Sequence, residues 1–446
     1  MTKVFGHSIR SEILVLYLLE GLICFVASYA VLSGTGASAG TRDQTNPALV
    51  AALLTLSFGL AGSVSGLYRP TTWLRVGRIF TGAVIALLFL AVLAELLAPS
   101  ALYDSNGSVW LGVQRILPVF ALSLVVTRIS LMLAARFGLF RRRLIVVQDE
   151  RAEGGLRRWP RDDPSFEIVP TQPSDLATDA GCPGRNGHPR PWAVVAERPE
   201  QIPPAALRQM SADGIHVLHA SEFWERRLGR LDLAGLPDGW VSASRGLQEH
   251  PTERALRRGF DILASLLLLA VTLPLLLLAI IALKLDSPGP IFYRQERVGQ
   301  GGRRFLLFKL RSMVQDAEAA GAPRWAVRGD SRVTRVGRIL RLFRIDEIPQ
   351  VLNVLRGDMA FVGPRPERPA FVEQLEALIP HYSDRAVVKP GITGWAQVNY
   401  PYGASVEDAR EKLTYDLYYV KQRSLFLDLL ILIATVRVVL FQEGSR

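Results

Sequence analysis

The chain has 446 residues, of which 49% are hydrophobic, and a formal net charge of +11. This length exceeds what one ordinary core occupies, so two or three domains are expected. The two cysteines, Cys24 and Cys182, lie in an apolar and a polar stretch, which argues against a disulfide framework or a zinc site. A basic chain can bind nucleic acid, anionic lipid or a phosphorylated substrate, and the apolar segments described next favour the last two.

Four apolar segments fill residues 1–140. They cover roughly 12–33, 48–68, 79–98 and 110–135. Each is long enough for a helix that crosses the bilayer, which takes about 20 residues. Basic residues precede the first segment, separate the second from the third and follow the fourth, whereas the other two connections hold only Arg42. The positive-inside rule therefore predicts a four-helix transmembrane domain with both ends in the cytoplasm.

Two features of this domain allow other interpretations. Ala37-Ser-Ala-Gly40 could be a signal-peptidase site, but the three further apolar segments favour a signal anchor. Arg115 and Arg128 lie within the fourth segment. We expect their side chains to extend to the two membrane surfaces, and a buried functional arginine is the alternative.

Residues 141–245 alternate short apolar stretches with amphipathic ones, the pattern of a small α/β domain. Strands are expected at 143–148, 192–196 and 214–218, and helices at 202–212 and 221–230. Gln148-Asp-Glu-Arg151 stands where a dinucleotide-binding strand would continue into Gly-x-Gly-x-x-Gly. We therefore predict a degenerate Rossmann-like domain that acts as a scaffold or regulatory unit without a bound nucleotide. Residues 151–190, rich in Pro, Gly, Asp and Arg, are expected to be irregular.

Residues 260–285 form a fifth apolar segment that is long enough to cross the bilayer. A crossing would place the rest of the chain outside the cytoplasm, where nucleotides are absent. Pro274, near the middle, removes a backbone hydrogen bond and kinks a helix. We predict a re-entrant helix that breaks at Pro274 and returns to the cytoplasmic face, with Ser265 or Thr272 as partners for the freed carbonyls. An ordinary kinked span is the alternative.

The chain is densely patterned from about residue 254 onward. Asp346 and Glu347 are adjacent carboxylates among many arginines, a setting that favours ionised carboxylates and attracts phosphate. The other motifs are Arg258-Gly-Phe-Asp261, Ser287-Pro-Gly-Pro290, Gln295-Glu-Arg-Val-Gly299, Phe308-Lys-Leu-Arg-Ser-Met313, Gly363-Pro-Arg-Pro366, Lys389-Pro-Gly-Ile-Thr-Gly-Trp-Ala-Gln-Val398 and Tyr415-Asp-Leu-Tyr-Tyr419. With these motifs, residues 254–446 resemble the bacterial sugar transferase family, the polyprenyl-phosphate hexose-1-phosphate transferases. The segment 400–410 resembles the branch associated with PEP-CTERM and exosortase systems.

The resemblance implies a glycosylphosphotransferase with an α-rich monotopic catalytic domain on the cytoplasmic face of the bacterial inner membrane. Such an enzyme moves hexose-1-phosphate from a UDP-sugar to undecaprenyl phosphate and releases UMP, the initiating step of exopolysaccharide biosynthesis. A carboxylate can divide this displacement at phosphorus into two steps, through a covalent aspartyl-phosphosugar intermediate. By resemblance, Asp346 is the nucleophile and Glu347 is associated with Mg²⁺. Large members of the family suggest a homodimer, and nucleic acid is not an expected partner.

Basic and polar residues complete the predicted site. Arg365 lies between two prolines, which would hold its guanidinium for bidentate phosphate contact. Lys309 and Arg311, spaced i, i+2, would share one face of a strand. We assign them to the diphosphate, with plain surface basicity or lipid headgroup contact as the alternative. Gln397, with its neighbours Trp395 and Asn399, is placed on the nucleotide side, and a packed turn is an equally good interpretation.

Three further expectations concern the end of the chain. Asp416 and Asp428 match acidic positions of the family, and pairing with arginine is at least as good an interpretation as metal contact. Residues 424–441 are expected to form an interfacial helix. Tyr400 follows Gln-Val-Asn where many members of the family have Gly-Arg, so the identity of the donor sugar is left open.

A non-catalytic scaffold or an export subunit of a polysaccharide assembly complex is the alternative function for the whole chain.

Overall fold

A computed structural model describes residues 2–4, 7–9, 11–36, 46–68, 76–97, 109–137, 141–147, 166–172, 176, 191–237, 239–314, 330–400, 403 and 405–440. The chain divides into two compact units, Met1–Phe223 and Trp224–Arg446. The predicted middle domain, 141–245, extends beyond this division at residue 223.

Four long helices follow a short antiparallel hairpin of β1 (Thr2–Val4) and β2 (His7–Ile9). The helices are α1 (Ser11–Gly36), α2 (Pro47–Val64), α3 (Val76–Leu97) and α4 (Val109–Arg136). Helices α1, α2 and α4 each contain an apolar stretch of 18 or 19 residues that is long enough to cross a membrane. Helix α3 has a shorter apolar stretch, Ile79–Leu88. Several apolar helices long enough to cross a membrane are therefore confirmed at the N-terminus, and a crossing by α3 stays a prediction.

A buried charged network lies inside this helical bundle. Glu20 of α1 is 0% exposed and pairs with Arg128 of α4, which is 3% exposed, at 3.0 Å between Oε1 and a guanidinium nitrogen. Thr127 Oγ1 donates to Glu20 Oε1 at 2.5 Å, and Tyr68 donates its hydroxyl proton to Glu20 Oε2 at 2.8 Å. The expectation that Arg128 extends to a membrane surface is wrong, because a buried carboxylate neutralises its charge within the bundle. The side chain of Arg115 lies outside the described residues.

We expect Glu20→Ala to destabilise the membrane domain, because Arg128 would keep its buried charge without a counter-ion. The expected loss is about 3–5 kcal/mol of unfolding free energy. The measurement is the midpoint of thermal unfolding of the full chain in detergent. The double variant Glu20→Leu/Arg128→Met, which removes both charges, should recover most of the lost stability. Equal midpoints for Glu20→Ala and the unmodified chain would contradict the role given to this ion pair.

The middle of the chain forms a four-stranded parallel sheet in the order β4-β3-β5-β6. Its strands are β3 (Arg142–Val147), β4 (Phe166–Thr171), β5 (Ala193–Ala196) and β6 (His216–His219), with helices α5 (Pro204–Ala212) and α6 (Ala220–Leu228). Three strands and both helices confirm the predicted α/β pattern. Strand β4 is a correction, because it lies within the stretch 151–190 that was expected to be irregular. It is an edge strand, and a proline such as Pro170 is tolerated at an edge because its missing N–H group need not pair with a second neighbouring strand.

The second unit is rich in helix and holds two small sheets. It contains α7 (Pro251–Asp286), β7 (Phe292–Val298), β8 (Arg304–Leu310), α8 (Arg335–Leu342), α9 (Val351–Arg356), β9 (Ala360–Val362), α10 (Pro369–Leu378), β10 (Gly391–Thr393), α11 (Trp395–Asn399), α12 (Val406–Gln422) and α13 (Leu425–Leu440). Strands β7 and β8 are antiparallel, whereas β9 and β10 are parallel. The main core of the unit packs around α12, at Leu417 and Tyr419.

Residues 229–237 and 239–250 contribute side chains to this core. Leu231 donates its N–H to the Thr414 carbonyl at 3.0 Å, and its side chain is buried with that of Trp240 among core residues. The indole of Trp240 donates to Asp384 at 2.8 Å. The core of the second unit therefore includes residues that precede position 254, where the motifs of the sequence analysis begin.

Helix α7 is one continuous helix of 36 residues through Pro274, about 54 Å long at 1.5 Å per residue, so the break predicted at Pro274 is not observed. Thr272 Oγ1 donates to the Leu268 carbonyl at 2.6 Å, rather than to the carbonyl four residues before Pro274, and the Ser265 hydroxyl is buried without a partner. One face of α7 packs on the unit, whereas the opposite face exposes large apolar side chains such as Val271 and Leu285.

Candidate functional site

A short 3₁₀ helix, Ile345–Gln350, carries the two adjacent carboxylates. Neighbouring residues on a 3₁₀ helix are about 120° apart, so Asp346 and Glu347 point in different directions and can serve different partners. The turn begins at Arg344, whose φ of 56° lies in the left-handed region. A non-glycine residue costs roughly 1–2 kcal/mol in this region, so contacts with the surrounding residues must hold the backbone of Arg344 in this conformation.

Asn353 ties the carboxylate segment to β8. It lies on α9, which follows the 3₁₀ turn directly, and it is fully buried. Its Oδ1 accepts from the Phe308 N–H at 3.0 Å, and its Nδ2 donates to the Leu306 carbonyl at 2.7 Å. These two bonds to the strand fix the register between α9 and β8. Lys309, the next residue on β8, is thereby held beside the carboxylates.

Glu347 is the centre of the observed charge cluster. Lys309 Nζ lies 3.1 Å from its Oε1. The guanidinium of Arg365 donates to both carboxylate oxygens, at 2.5 Å to Oε1 and 3.2 Å to Oε2. Both cations approach a largely buried carboxylate, so each contact is stronger than a surface ion pair. The structure thus brings together four predicted site residues from three separate stretches of sequence.

The two carboxyl groups differ in their affinity for a proton. Burial, and then the charge of Glu347, raise the pKa of Asp346 to about 6, against the attraction of Lys309, Arg341 and Arg365. Burial also raises the pKa of Glu347, but the attraction of Arg365 and Lys309 outweighs it and holds that pKa well below 4.5. The expectation of an ionised carboxylate holds for Glu347, whereas the Asp346 carboxylate is less stabilised. A less stabilised carboxylate is the better nucleophile.

The donor set suits a divalent cation only with help from a substrate. Two neighbouring carboxylates supply the hard oxygen ligands that Mg²⁺ takes. Among the residues that the structure describes, no group of three or more His, Cys, Asp or Glu side chains could hold a metal ion. Mg²⁺ commonly binds through one or two carboxylates plus phosphate oxygens. Both Glu347 oxygens accept hydrogen bonds from Arg365 or Lys309, so the assignment of Mg²⁺ to Glu347 stays a prediction.

Two other predicted site residues have partners away from Glu347. Strand β8 ends at Leu310, and the guanidinium of Arg311 turns to the Pro288 carbonyl at 2.6 Å and the Ser287 carbonyl at 2.8 Å. Gln397 Nε2 donates to the Ile392 carbonyl at 3.1 Å. The assignments of Arg311 and Gln397 to the substrate therefore stay predictions.

The remaining aromatic and acidic candidates have structural partners. The indole of Trp395 donates to the Gly229 carbonyl at 2.6 Å, which supports the packed interpretation of that turn. Asp416 pairs with Arg385 at 2.7 Å. Asp428 pairs with Arg257 and accepts the Tyr419 hydroxyl at 2.9 Å. Of the two interpretations of these aspartates, the structure shows pairing with arginine.

Comparison with known proteins identifies the family of the C-terminal half of the chain. Residues 252–442 match the family model described as bacterial sugar transferase. The chain is 48% identical over 191 residues to a UDP-glucose:undecaprenyl-phosphate glucose-1-phosphate transferase of Caulobacter vibrioides, covering 42% of this chain and 71% of that protein. The chain belongs to the bacterial sugar transferase family.

Two further relatives support this assignment. A UDP-N-acetylgalactosamine-undecaprenyl-phosphate N-acetylgalactosaminephosphotransferase of Aeromonas hydrophila is 44% identical over 232 residues, 52% of this chain and 54% of that protein. The chain thus spans about half the length of this relative. An exopolysaccharide production protein PSS of Rhizobium leguminosarum bv. phaseoli is 40% identical over 186 residues, 41% of this chain and 93% of that protein.

We expect Asn353→Leu to destabilise the sugar transferase domain, because the Phe308 N–H and the Leu306 carbonyl would be buried without partners. The expected cost is about 2–4 kcal/mol of unfolding free energy, measured from the urea midpoint of the purified chain. Asn399→Leu is the matched control, because Asn399 is an exposed side chain with one local bond. Similar midpoints for the two variants would contradict the role given to Asn353.

Proposed function

We propose that this chain transfers hexose-1-phosphate from a UDP-sugar to undecaprenyl phosphate and releases UMP. The observation that carries the proposal is the cluster of Asp346, Glu347, Lys309 and Arg365. It combines a buried carboxylate of raised pKa with a second carboxylate that is paired with two cationic side chains. A scaffold or export subunit has no use for such a cluster, so we favour the enzyme.

The reaction would proceed in two displacements at phosphorus. An Asp346 oxygen attacks the phosphorus that bears the sugar, the bond from that phosphorus to the bridging oxygen breaks, and UMP leaves with the electron pair. An oxygen of undecaprenyl phosphate then attacks the aspartyl-phosphosugar, which forms the lipid diphosphate and releases the Asp346 carboxylate. Lys309 and Arg365 would neutralise the charge of the donor diphosphate. Mg²⁺, when held by Glu347 with substrate oxygens, would supply further charge neutralisation.

We further propose that the domain is monotopic, with α7 as a re-entrant helix on the cytoplasmic face of the bacterial inner membrane. Near the start of α7, Arg258 donates to the Val354 carbonyl at 2.6 Å and the Leu355 carbonyl at 2.7 Å. Near its end, Leu283 is fully buried against the same unit. Both parts of α7 thus contact the same unit, which supports a position of this unit close to the membrane surface, and entry and return on one side would require α7 to bend at Pro274.

Several finer proposals rest on indirect support. The donor is a UDP-sugar of undetermined identity, since the relatives are named for glucose and for N-acetylgalactosamine. A role in exopolysaccharide production is suggested by the name of the Rhizobium relative. The β4-β3-β5-β6 strand order is compatible with a Rossmann-like middle domain. A homodimer and a cytoplasmic position for both ends of the four-helix domain complete the proposal.

We expect Asp346→Asn to abolish transfer, because an amide is not a nucleophile at phosphorus. Purified chain is incubated with a panel of UDP-sugars, Mg²⁺ and undecaprenyl phosphate, and UMP is measured with and without EDTA. Unmodified chain should release UMP only with Mg²⁺ and should become labelled by a donor carrying ³²P beside the sugar. The variant should do neither. Glu373→Gln, at an exposed glutamate of the same unit, should behave as the unmodified chain. Full turnover by Asp346→Asn would refute the assignment.

We expect residues on both sides of α7 to face the cytoplasm. Cys24 and Cys182 are replaced by serine, and single cysteines are introduced at Glu253 before most of α7 and at Glu373 after it. A membrane-impermeant maleimide should label both in inverted vesicles and neither in intact cells. A cysteine at Asp104, in a loop predicted to lie outside the cytoplasm, should show the opposite pattern. Labelling of Glu373→Cys in intact cells would show that α7 crosses the membrane.

A further inference from the structure

The loop that presents Arg365, residues 363–367, is hydrogen-bonded to several other segments of the unit through its backbone. The Gly363 N–H donates to the Thr393 carbonyl at 2.8 Å, the Pro364 carbonyl accepts from the Gly391 N–H at 2.9 Å, and the Glu367 carbonyl accepts from the Val298 N–H at 3.0 Å. These bonds fix the loop at both ends. The two central carbonyls of the loop are those of Arg365 and Pro366.

Two arginines hold these central carbonyls. Arg385 donates to the Arg365 carbonyl at 2.9 Å, and Arg297 donates to the Pro366 carbonyl at 3.0 Å. Asp416 lies 2.7 Å from the guanidinium of Arg385 and balances its charge. Resemblance assigned no role to Arg297 or Arg385, and neither is among the ligands of Glu347.

The environment of Arg385 argues against direct contact with a substrate. Its side chain is 12% exposed. One terminal nitrogen donates to the Tyr382 hydroxyl at 3.0 Å, and the other is shared between the Arg365 carbonyl and Asp416. Both terminal nitrogens are therefore engaged within the protein, whereas the neighbouring Arg365 reaches Glu347 with its own guanidinium.

We propose that Arg385 is a positioning residue of the transferase reaction, which acts by fixing the backbone of Arg365, with Arg297 in the same role on the adjoining carbonyl. The inference rests on the proposed function. A guanidinium aligned with a diphosphate loses much of its effect when its backbone shifts by about 1 Å. Arg385 sets that alignment without touching the substrate, so its contribution depends on the presence of the Arg365 side chain.

A double-mutant cycle tests this dependence. Arg385→Lys keeps the charge beside Asp416, but one ammonium cannot reproduce the fork that reaches the Tyr382 hydroxyl, the Arg365 carbonyl and Asp416 together. With the Arg365 side chain present, we expect Arg385→Lys to lower kcat/KM for UMP release roughly 10- to 100-fold, the range seen when a supporting hydrogen bond is removed. In the Arg365→Ala background, the same substitution should change kcat/KM less than about twofold.

A second readout separates positioning from loss of folded protein. In a single-turnover experiment with ³²P-labelled donor and no acceptor lipid, the labelled fraction of Arg385→Lys should equal that of the unmodified chain, while the labelling rate falls. Arg303→Lys, at an exposed arginine of the same unit, should change neither. Equal fold-losses in both backgrounds, or a lower labelled fraction at an unchanged rate, would overturn the proposal.

Two further outcomes are distinguishable. If Arg385→Lys does not fold, the same cycle with Arg297→Lys replaces it, and equal losses in both backgrounds again overturn the proposal. If the unmodified chain releases no UMP from any UDP-sugar, the proposed function itself fails. A working transferase with no coupling between Arg385 and Arg365 overturns only the positioning role.

Discussion

The structure of the site depends on the burial of the Glu347 carboxylate between two cations. A carboxylate removed from water is strongly destabilising unless opposite charges and hydrogen-bond donors replace its hydration. Arg365 and Lys309 provide both. Their attraction keeps Glu347 ionised, and the resulting negative charge raises the pKa of the adjacent Asp346. One buried ion cluster thus gives two neighbouring acids different properties, which a reaction with a nucleophile and a separate metal-associated group requires.

Much of the second unit holds the three parts of this cluster in register. Asn353 ties the carboxylate turn to the strand that carries Lys309, and Arg297 and Arg385 hold the loop that carries Arg365. In each case a buried polar side chain binds backbone atoms of another segment. Such bonds give little net stability but are costly to break, so they fix relative positions more than they stabilise the domain.

The sequence predicted the members of the cluster better than their supports. Asp346, Glu347, Arg365 and Lys309 lie in distinctive motifs, whereas the partners of Arg297 and Arg385 are backbone carbonyls, which every residue has. No pattern of residue types reveals such a partner. The i, i+2 spacing did not reveal that the guanidinium of Arg311 donates to the Ser287 and Pro288 carbonyls, because these partners are also backbone atoms. Strand β4 was missed because Pro170 indicates irregular structure unless the strand is known to be at an edge.

The carboxylate turn is also packed directly on the long apolar helix. Ile345 and Ile348, which flank Asp346 and Glu347, are buried in one cluster with Leu276 and Leu283 of α7. The opposite face of α7 exposes apolar side chains along its length, as expected of a helix in contact with lipid. Asp346 and Glu347 are therefore connected to α7 through the packed side chains of their neighbours Ile345 and Ile348. For an enzyme whose proposed acceptor is a phosphate at the end of a lipid, this packing would keep the buried Asp346 close to the membrane surface without placing a charged side chain in the hydrocarbon.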